Sequence, residues 1–231
     1  MMYRCLGCGE EFGIERLLYT CPACGQVLLL YDRQFSLFKE RGGRVWREIF
    51  DYRRMLNIQP LKGIFRYYEF IAPVIPLERI VYLGEGHTPL VEANDFLKEM
   101  VGADFYFKNE GLNPSASFKD RGMACALSYI NHLAHQEGIK SILAICASTG
   151  DTSASAALYA SFLGSFLSSA VLLPQGKVTP EQLSQPLGSG AKVLEIPGVF
   201  DDCMKIVEAL ADHYHVALLN SKNSWRILGQ E

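Results

Sequence analysis

"KSILAICASTGDTSASAALYASFLG", residues 140–164, decides the fold. Its first half is an unbroken apolar run, the pattern of a strand covered on both faces. Its second half turns through Ser148, Thr149, Gly150 and Asp151 into a helix of small residues. A buried strand, a tight turn and a helix make the first half of a right-handed βαβ unit.

The same alternation extends in both directions. Upstream, "FYFKNE" (105–110) is a short apolar run, and "SFKDRGMACALSYINHLAHQEG" (117–138) spaces apolar residues as a helix does, stopping at Gly138. Downstream, strand-like "SSAVLLP" (168–174), "AKVLEIPG" (191–198) and "HVALLNS" (215–221) alternate with helix-like "TPEQLSQPLGSG" (179–190) and "VFDDCMKIVEALADHY" (199–214). The fold class predicted is α/β, a parallel sheet with helices on both faces. Ligands of such sheets bind beyond the carboxyl ends of the strands. The alternation is regular, but no internal repeat or low-complexity tract accompanies it.

The first residues are of another kind. Cys5, Cys8, Cys21 and Cys24 form C-x2-C-x12-C-x2-C, and a glycine follows each pair. That spacing predicts a zinc ribbon, with four thiolates closing a tetrahedral site that stabilises the fold and leaves no position for catalysis. Cys125, Cys146 and Cys203 are single, in apolar stretches, and read as inert buried thiols. We therefore expect a ribbon over 1–31, a connector rich in aromatics and arginines over 32–104, and the α/β unit over 105–231. Residues 32–82 hold Pro73 and Pro76 and suggest helices with an extended link.

With 231 residues, 49% of them hydrophobic, the chain has ample material for a core. Its net charge of −3 gives no general attraction to nucleic acid or to anionic membranes. Within residues 1–30, Arg4 and Arg16 are the only basic side chains, thin support for a nucleic-acid-binding ribbon. No apolar run suggests a membrane span, the N-terminus lacks a signal core, and the cysteine usage suits a reducing compartment; the expected location is cytoplasmic.

"NPSASFKDRGM" (113–123) sets Lys119 beside Phe118 at the start of a helix, after a turn built from Asn113, Pro114, Ser115 and Ser117. Most helical lysines are solvated. A lysine at a helix N-terminus, however, feels a positive dipole that favours the neutral amine. The turn at 148–152 has two readings as well: ordinary capping, or an anion site made of hydroxyls and free N–H groups. Asp151 opposes an anion there unless its carboxylate engages a donor elsewhere.

Four blocks taken together, "LGEGHTPL" (83–90), "NPSASFKDRGM", "ASTGDTSASAALYA" (147–160) and "NSKNSWRILGQ" (220–230), resemble the threonine synthases. These are pyridoxal-phosphate enzymes of the tryptophan-synthase-β-like group, fold type II. The resemblance spans about residues 65 to 231, and an N-terminal zinc ribbon also occurs in some members. It implies that Lys119 is the Schiff-base lysine and proton shuttle, and that Asp151 stands beside the cofactor's 3-hydroxyl, where many members carry Asn. It further implies that Ser148, Thr149, Gly150 and Thr152 bind the substrate's anionic groups, and that Asn220, Ser221 and Arg226 hold its phosphate. Ser224 replaces a common proline. The implied reaction converts O-phospho-L-homoserine and water to L-threonine and phosphate, with a small phosphorylated amino acid as ligand and a homodimer as the assembly of the longer chain.

In the family a larger catalytic domain follows and carries the glycine-rich loop for the cofactor phosphate. Here Gly188-Ser189-Gly190 precedes a strand, the wrong context for such a loop. The expectation is an N-terminal part of the enzyme that by itself binds the cofactor weakly and has little activity. Two other readings stay open: a related enzyme on another phosphorylated or activated amino acid, such as a cysteate synthase, and a non-catalytic zinc-ribbon protein.

Overall fold

A computed structural model describes residues 1–213 and 215–230. Tyr214, the last residue of the predicted 199–214 helix, and Glu231 lie outside the described residues.

The chain begins with a three-stranded antiparallel sheet of β1 (Met2–Cys5), β2 (Glu11–Phe12) and β3 (Leu28–Tyr31), in the order β2-β1-β3. An arm follows with α1 (Phe35–Glu40), α2 (Gly42–Met55) and α3 (Tyr68–Ile71), joined by short 3-10 turns. Its own small core is aromatic: Trp46 meets Phe38, Phe50 and Phe70 at centroid distances of 5.3, 5.7 and 5.0 Å. Next come β4 (Leu90–Glu92), α4 (Asp95–Val101) and β5 (Tyr106–Lys108). The apolar run at 105–110 thus becomes β5, paired only with β4 and exposed at every residue. The chain through α4 brings it back antiparallel to β4, apart from the larger sheet.

The regular part contains α5 (Lys119–Gln136), β6 (Ile142–Ala147), α6 (Asp151–Leu163), β7 (Leu167–Pro174), α7 (Pro180–Gly188), β8 (Lys192–Ile196), α8 (Phe200–His213), β9 (Val216–Leu218) and α9 (Ser224–Gln230). The four strands form a parallel sheet in the order β8-β7-β6-β9, as the alternation predicted. Side-chain period two divides its residues between two cores. Ala144, Cys146, Val171 and Leu173 join Met123, Leu127 and Tyr159 of α5 and α6, whereas Ile145, Leu172 and Leu218 join Cys203 and Val207 of α8. Helices therefore cover both faces.

Helix α9 was not expected from the sequence. The Asn223 carboxamide oxygen accepts from the N–H groups of Trp225 and Arg226, at 3.0 and 3.1 Å, and starts it. Trp225 is buried and stacks on Tyr129 at 3.8 Å. Two glycines bring α9 and α5 together: a Cβ on Gly229 would lie 2.5 Å from Cys125 Cβ, and one on Gly122 would lie 2.7 Å from the Arg226 carbonyl oxygen.

The ribbon packs on the same region. Trp225 Nε1 donates to the Tyr3 hydroxyl at 3.2 Å, and Ser224 Oγ donates to the Leu28 carbonyl at 2.7 Å. Tyr19 covers the free edge of β9, its hydroxyl accepting from Leu218 N–H at 2.9 Å and donating to the Val216 carbonyl at 3.4 Å. One phenol thus mimics a neighbouring strand and closes an edge open to false pairing. Among the described residues, no helix is long and apolar enough to cross a membrane.

Candidate functional site

Strand β6 ends at Ala147, and the chain turns there because Asn220 holds it. The Asn220 carboxamide accepts from Ala147 N–H at 2.9 Å and donates to the Ala147 carbonyl at 2.7 Å. Both ends of this amide are therefore occupied by backbone, and Asn220 bridges the carboxyl ends of β6 and β9. Ser221 beside it is exposed.

The next five residues form the turn into α6. Ser148 Oγ accepts from the N–H groups of Gly150 and Ser153, each at 3.2 Å, which is the capping reading. The N–H groups of Thr149, Asp151 and Thr152 have no partner among the described residues, which is what the anion reading requires. The two readings call on different donors, so capping by Ser148 does not use up the groups that an anion would need. The Asp151 carboxylate accepts from Ser117 Oγ at 3.0 Å, the engagement that an anion site at this turn needed.

Lys119 opens α5 opposite this turn. Its N–H reaches Ser117 Oγ at 3.3 Å, and the residue after it anchors the helix. Asp120 is fully buried and accepts from Ser115 N–H at 2.7 Å, from Ser115 Oγ at 2.5 Å and from Ser155 Oγ of α6 at 2.5 Å. Ala116, at φ 62°, takes the left-handed conformation that this tight approach demands. The start of α5 is thereby tied to α6, and Lys119 with it. Lys119 Nζ lies 4.2 Å from the Phe118 ring centroid. Among the described residues its amine joins no ion pair. Partial burial, and next the charge of Arg226, hold its pKa below the usual lysine range, with Asp151 pulling the other way.

Arg226 reaches the site because α9 lies against α5. It is 3% exposed, with Nη1 donating to the Leu219 carbonyl at 2.8 Å, Nε to Gln230 Oε1 at 3.0 Å and Nη2 to Thr152 Oγ1 at 3.1 Å. Three of its five donors are used, leaving two. Among the described residues no carboxylate pairs with it. A buried charge is ordinarily paired with an opposite one, whereas the partners of this guanidinium among the described residues are neutral oxygens.

Sequence reasoning missed the acid network that supports this site. Glu85 is fully buried, accepting at Oε2 from the Tyr159 hydroxyl at 2.7 Å and from Leu83 N–H at 3.1 Å, while its Oε1 is buried without a partner. Burial raises its carboxyl to about 7 against the pull of those two donors. Arg121, two residues after Lys119, grips Glu110 with Nε and Nη2 at 2.8 and 2.9 Å. That contact, first among its causes, holds Glu110 down at about 2. Glycines flanking Glu85 hint at a turn, but nothing local marks a carboxyl as internal.

The four ribbon cysteines converge, all sulfurs lying within 4.8 Å of one another, with Cys5 to Cys24 at 3.4 Å and Cys8 to Cys21 at 3.7 Å. A tetrahedral zinc–thiolate centre sets its sulfurs about 3.8 Å apart, so the set fits zinc. Gly9 and Gly25, at φ 78° and 73°, make the two tight turns that the sequence anticipated. The N–H groups of Cys8 and Gly7 point at Cys5 Sγ from 3.4 and 3.3 Å, stabilising a thiolate. Cys125, Cys146 and Cys203 are buried as expected, and burial pushes the first two thiols up to about 12.

Comparison with known proteins agrees with this geometry. The chain is 38% identical over 231 residues to the threonine synthase of Methanocaldococcus jannaschii, covering 100% of this chain and 52% of that protein. It is 44% identical over 174 residues to that of Mycobacterium bovis, covering 75% and 46%. The crystal structure of threonine synthase from Escherichia coli superposes with a TM-score of 0.66 at 23% identity, covering 99% of this chain and 52% of that one, a likeness of fold. The chain thus spans about half the length of the curated relatives it matches. The profile of the family described as pyridoxal-phosphate dependent enzyme matches residues 81–231, the segment that holds Lys119, the 148–152 turn and Arg226. An amine of lowered basicity at the carboxyl end of a parallel sheet suits that cofactor's aldehyde, and the chain belongs to the pyridoxal-phosphate dependent enzyme family.

Proposed function

We propose that this chain carries the lysine-bearing and amino-acid-binding half of a threonine synthase, which converts O-phospho-L-homoserine and water to L-threonine and phosphate. The observation that carries the reading is Arg226, a buried guanidinium without a carboxylate partner that touches Thr152 and bears on Lys119. A planar donor fork suits a phosphoryl dianion.

Each side chain has a part in this reading. Lys119 would hold pyridoxal phosphate through its Nζ and afterwards move protons at the substrate's carbons, work for which a neutral amine is needed. Its depressed basicity favours that amine. When bound, pyridoxal phosphate supplies an electron sink for carbanions at Cα and Cβ. Asp151, restrained by Ser117, would face the cofactor; Ser148, Thr149, Gly150 and Thr152 would receive the substrate's anionic groups through hydroxyl and N–H. The two remaining Arg226 donors and Ser221 would hold the phosphate, and Asn220 would keep β6 and β9 in register beneath it. The four thiolates would hold structural zinc, and residues 1–31, 32–104 and 105–231 would be the functional divisions of a cytoplasmic biosynthetic enzyme.

Two experiments test this. Reduction of the chain with borohydride in the presence of pyridoxal phosphate, followed by peptide mapping, should place the modification on Lys119; equal labelling of Lys108 and Lys140 would overturn the assignment. With the C-terminal half of a relative supplied, O-phospho-L-homoserine should yield threonine and phosphate faster than O-phospho-L-serine or O-acetyl-L-serine react. Preference for phosphoserine would favour a cysteate-synthase-like enzyme instead.

A further inference from the structure

Between the arm and the turn before β4 lies a cleft of about 720 Å³, and no residue of the Lys119 site lines it. That volume is in the roughly 300–1,000 Å³ range of small-molecule pockets. Its charged lining is of one sign: Arg53, Arg54, Lys62, Arg66 and Lys108, with His87 among them. Two of these cations are neutralised, Arg53 by Glu69 at 2.6 Å and Arg66 by Asp51 at 3.1 Å. The other three lack a carboxylate among the described residues. Lys62 donates to the neutral Asn57 amide at 2.7 Å, and Lys108 donates to the Thr88 carbonyl.

The cleft is built rather than incidental. Its two walls meet at Gly63 and Gly86, where a Cβ on Gly63 would fall 2.5 Å from the Glu85 carbonyl and one on Gly86 would fall 3.0 Å from Gly63 Cα. Only glycines permit that contact, and both have positive φ, 58° and 84°. His87 follows at φ 50°, a conformation that a β-carbon resists and that recurs at ligand clamps. The Arg66 Nε donor is buried without a partner. Tyr82, Leu61 and Leu90 supply an apolar wall.

We propose that this cleft binds a metabolite bearing a diphosphate group, independently of the Lys119 site. A single carboxylate would neutralise one of three surplus cations, whereas a diphosphate carries about three negative charges near neutral pH and offers acceptors to Arg54, Lys62 and Lys108 together. The apolar wall would take the attached organic group.

Calorimetric titration of the chain with inorganic pyrophosphate at low ionic strength tests this. Binding should weaken roughly tenfold or more in Arg54→Gln/Lys62→Gln, yet stay within about twofold in Lys119→Ala and in Arg44→Gln, a change at an exposed arginine outside the cleft. No binding by the parent chain, equal binding by the double variant, or equal loss in Arg44→Gln would overturn the proposal. Loss in Lys119→Ala would also overturn it, by moving the anion to the other site. Failure to trap cofactor on Lys119 would leave this titration untouched, so the two readings fail separately.

Discussion

Replacing Glu85 with glutamine should change how the protein's stability depends on pH. The carboxyl is fully buried, and its folded-state value of about 7 stands above the ordinary 4.5. Between those values the folded chain holds a proton that the unfolded chain has released. Stability from this group is therefore complete below the unfolded value and is lost as pH rises through the folded one, at about 1.4 kcal/mol per pH unit. From about pH 5.5 to about pH 8 the loss comes to about 2 kcal/mol. Two histidines act in the opposite sense: burial, first among the causes, lowers the pKa of His87 and of His132, so their contribution to stability grows as pH rises. The quantity to measure is therefore the difference between the two proteins, by urea unfolding at both pH values. Glu85→Gln keeps an oxygen acceptor for Tyr159 and Leu83, so it should remain folded and lose this pH dependence. Parallel pH dependence in the two proteins would refute the reasoning and mean that Glu85 is solvated in a way its burial denies.

Gly229→Ala sets a methyl 2.5 Å from Cys125 Cβ and 2.6 Å from the Arg121 carbonyl, so α9 must move off α5. Urea unfolding should show a loss of about 1–3 kcal/mol, and unchanged stability would contradict the close approach. Cys24→Ser should lower bound zinc from about one per chain to near none by metal analysis, with faster amide exchange across residues 1–31; full zinc retention would remove the ribbon assignment.

The repeating part of the fold was legible because its signals are local. Strands β6, β7 and β9 centre on apolar runs, β8 (KVLEI) mixes apolar with charged residues, and the breaks carry glycine, proline or small polar residues. Helix α9 was not, since its seven residues hold barely two turns of pattern and owe their helicity to Asn223, to Trp225 stacking and to two facing glycines. The cysteine set was plain from spacing alone. At the candidate site the sequence singles out Lys119, Arg226 and the 148–152 turn, which the fold brings together, but not the contacts that support them: Asp120 with Ser155, and Glu85 with Tyr159, meet across 35 and 74 residues. The family resemblance implies a ligand-holding role for Asn220, while its carboxamide grips Ala147, 73 residues earlier. Partnerships of that range leave no periodicity to read.

The ribbon's docking onto α9 has a consequence in time. Leu28 awaits Ser224, which is 196 residues further along the chain. At translation rates of about 5–20 residues per second, the ribbon spends about 10–40 s outside the ribosome before the surface it rests on exists. During that interval Tyr3, Leu28 and the other side chains it later buries face water. With zinc held by the four thiolates as proposed, the ribbon would need no partner surface to close, so the N-terminus would wait already shaped and metal supply during synthesis would become a condition for correct assembly.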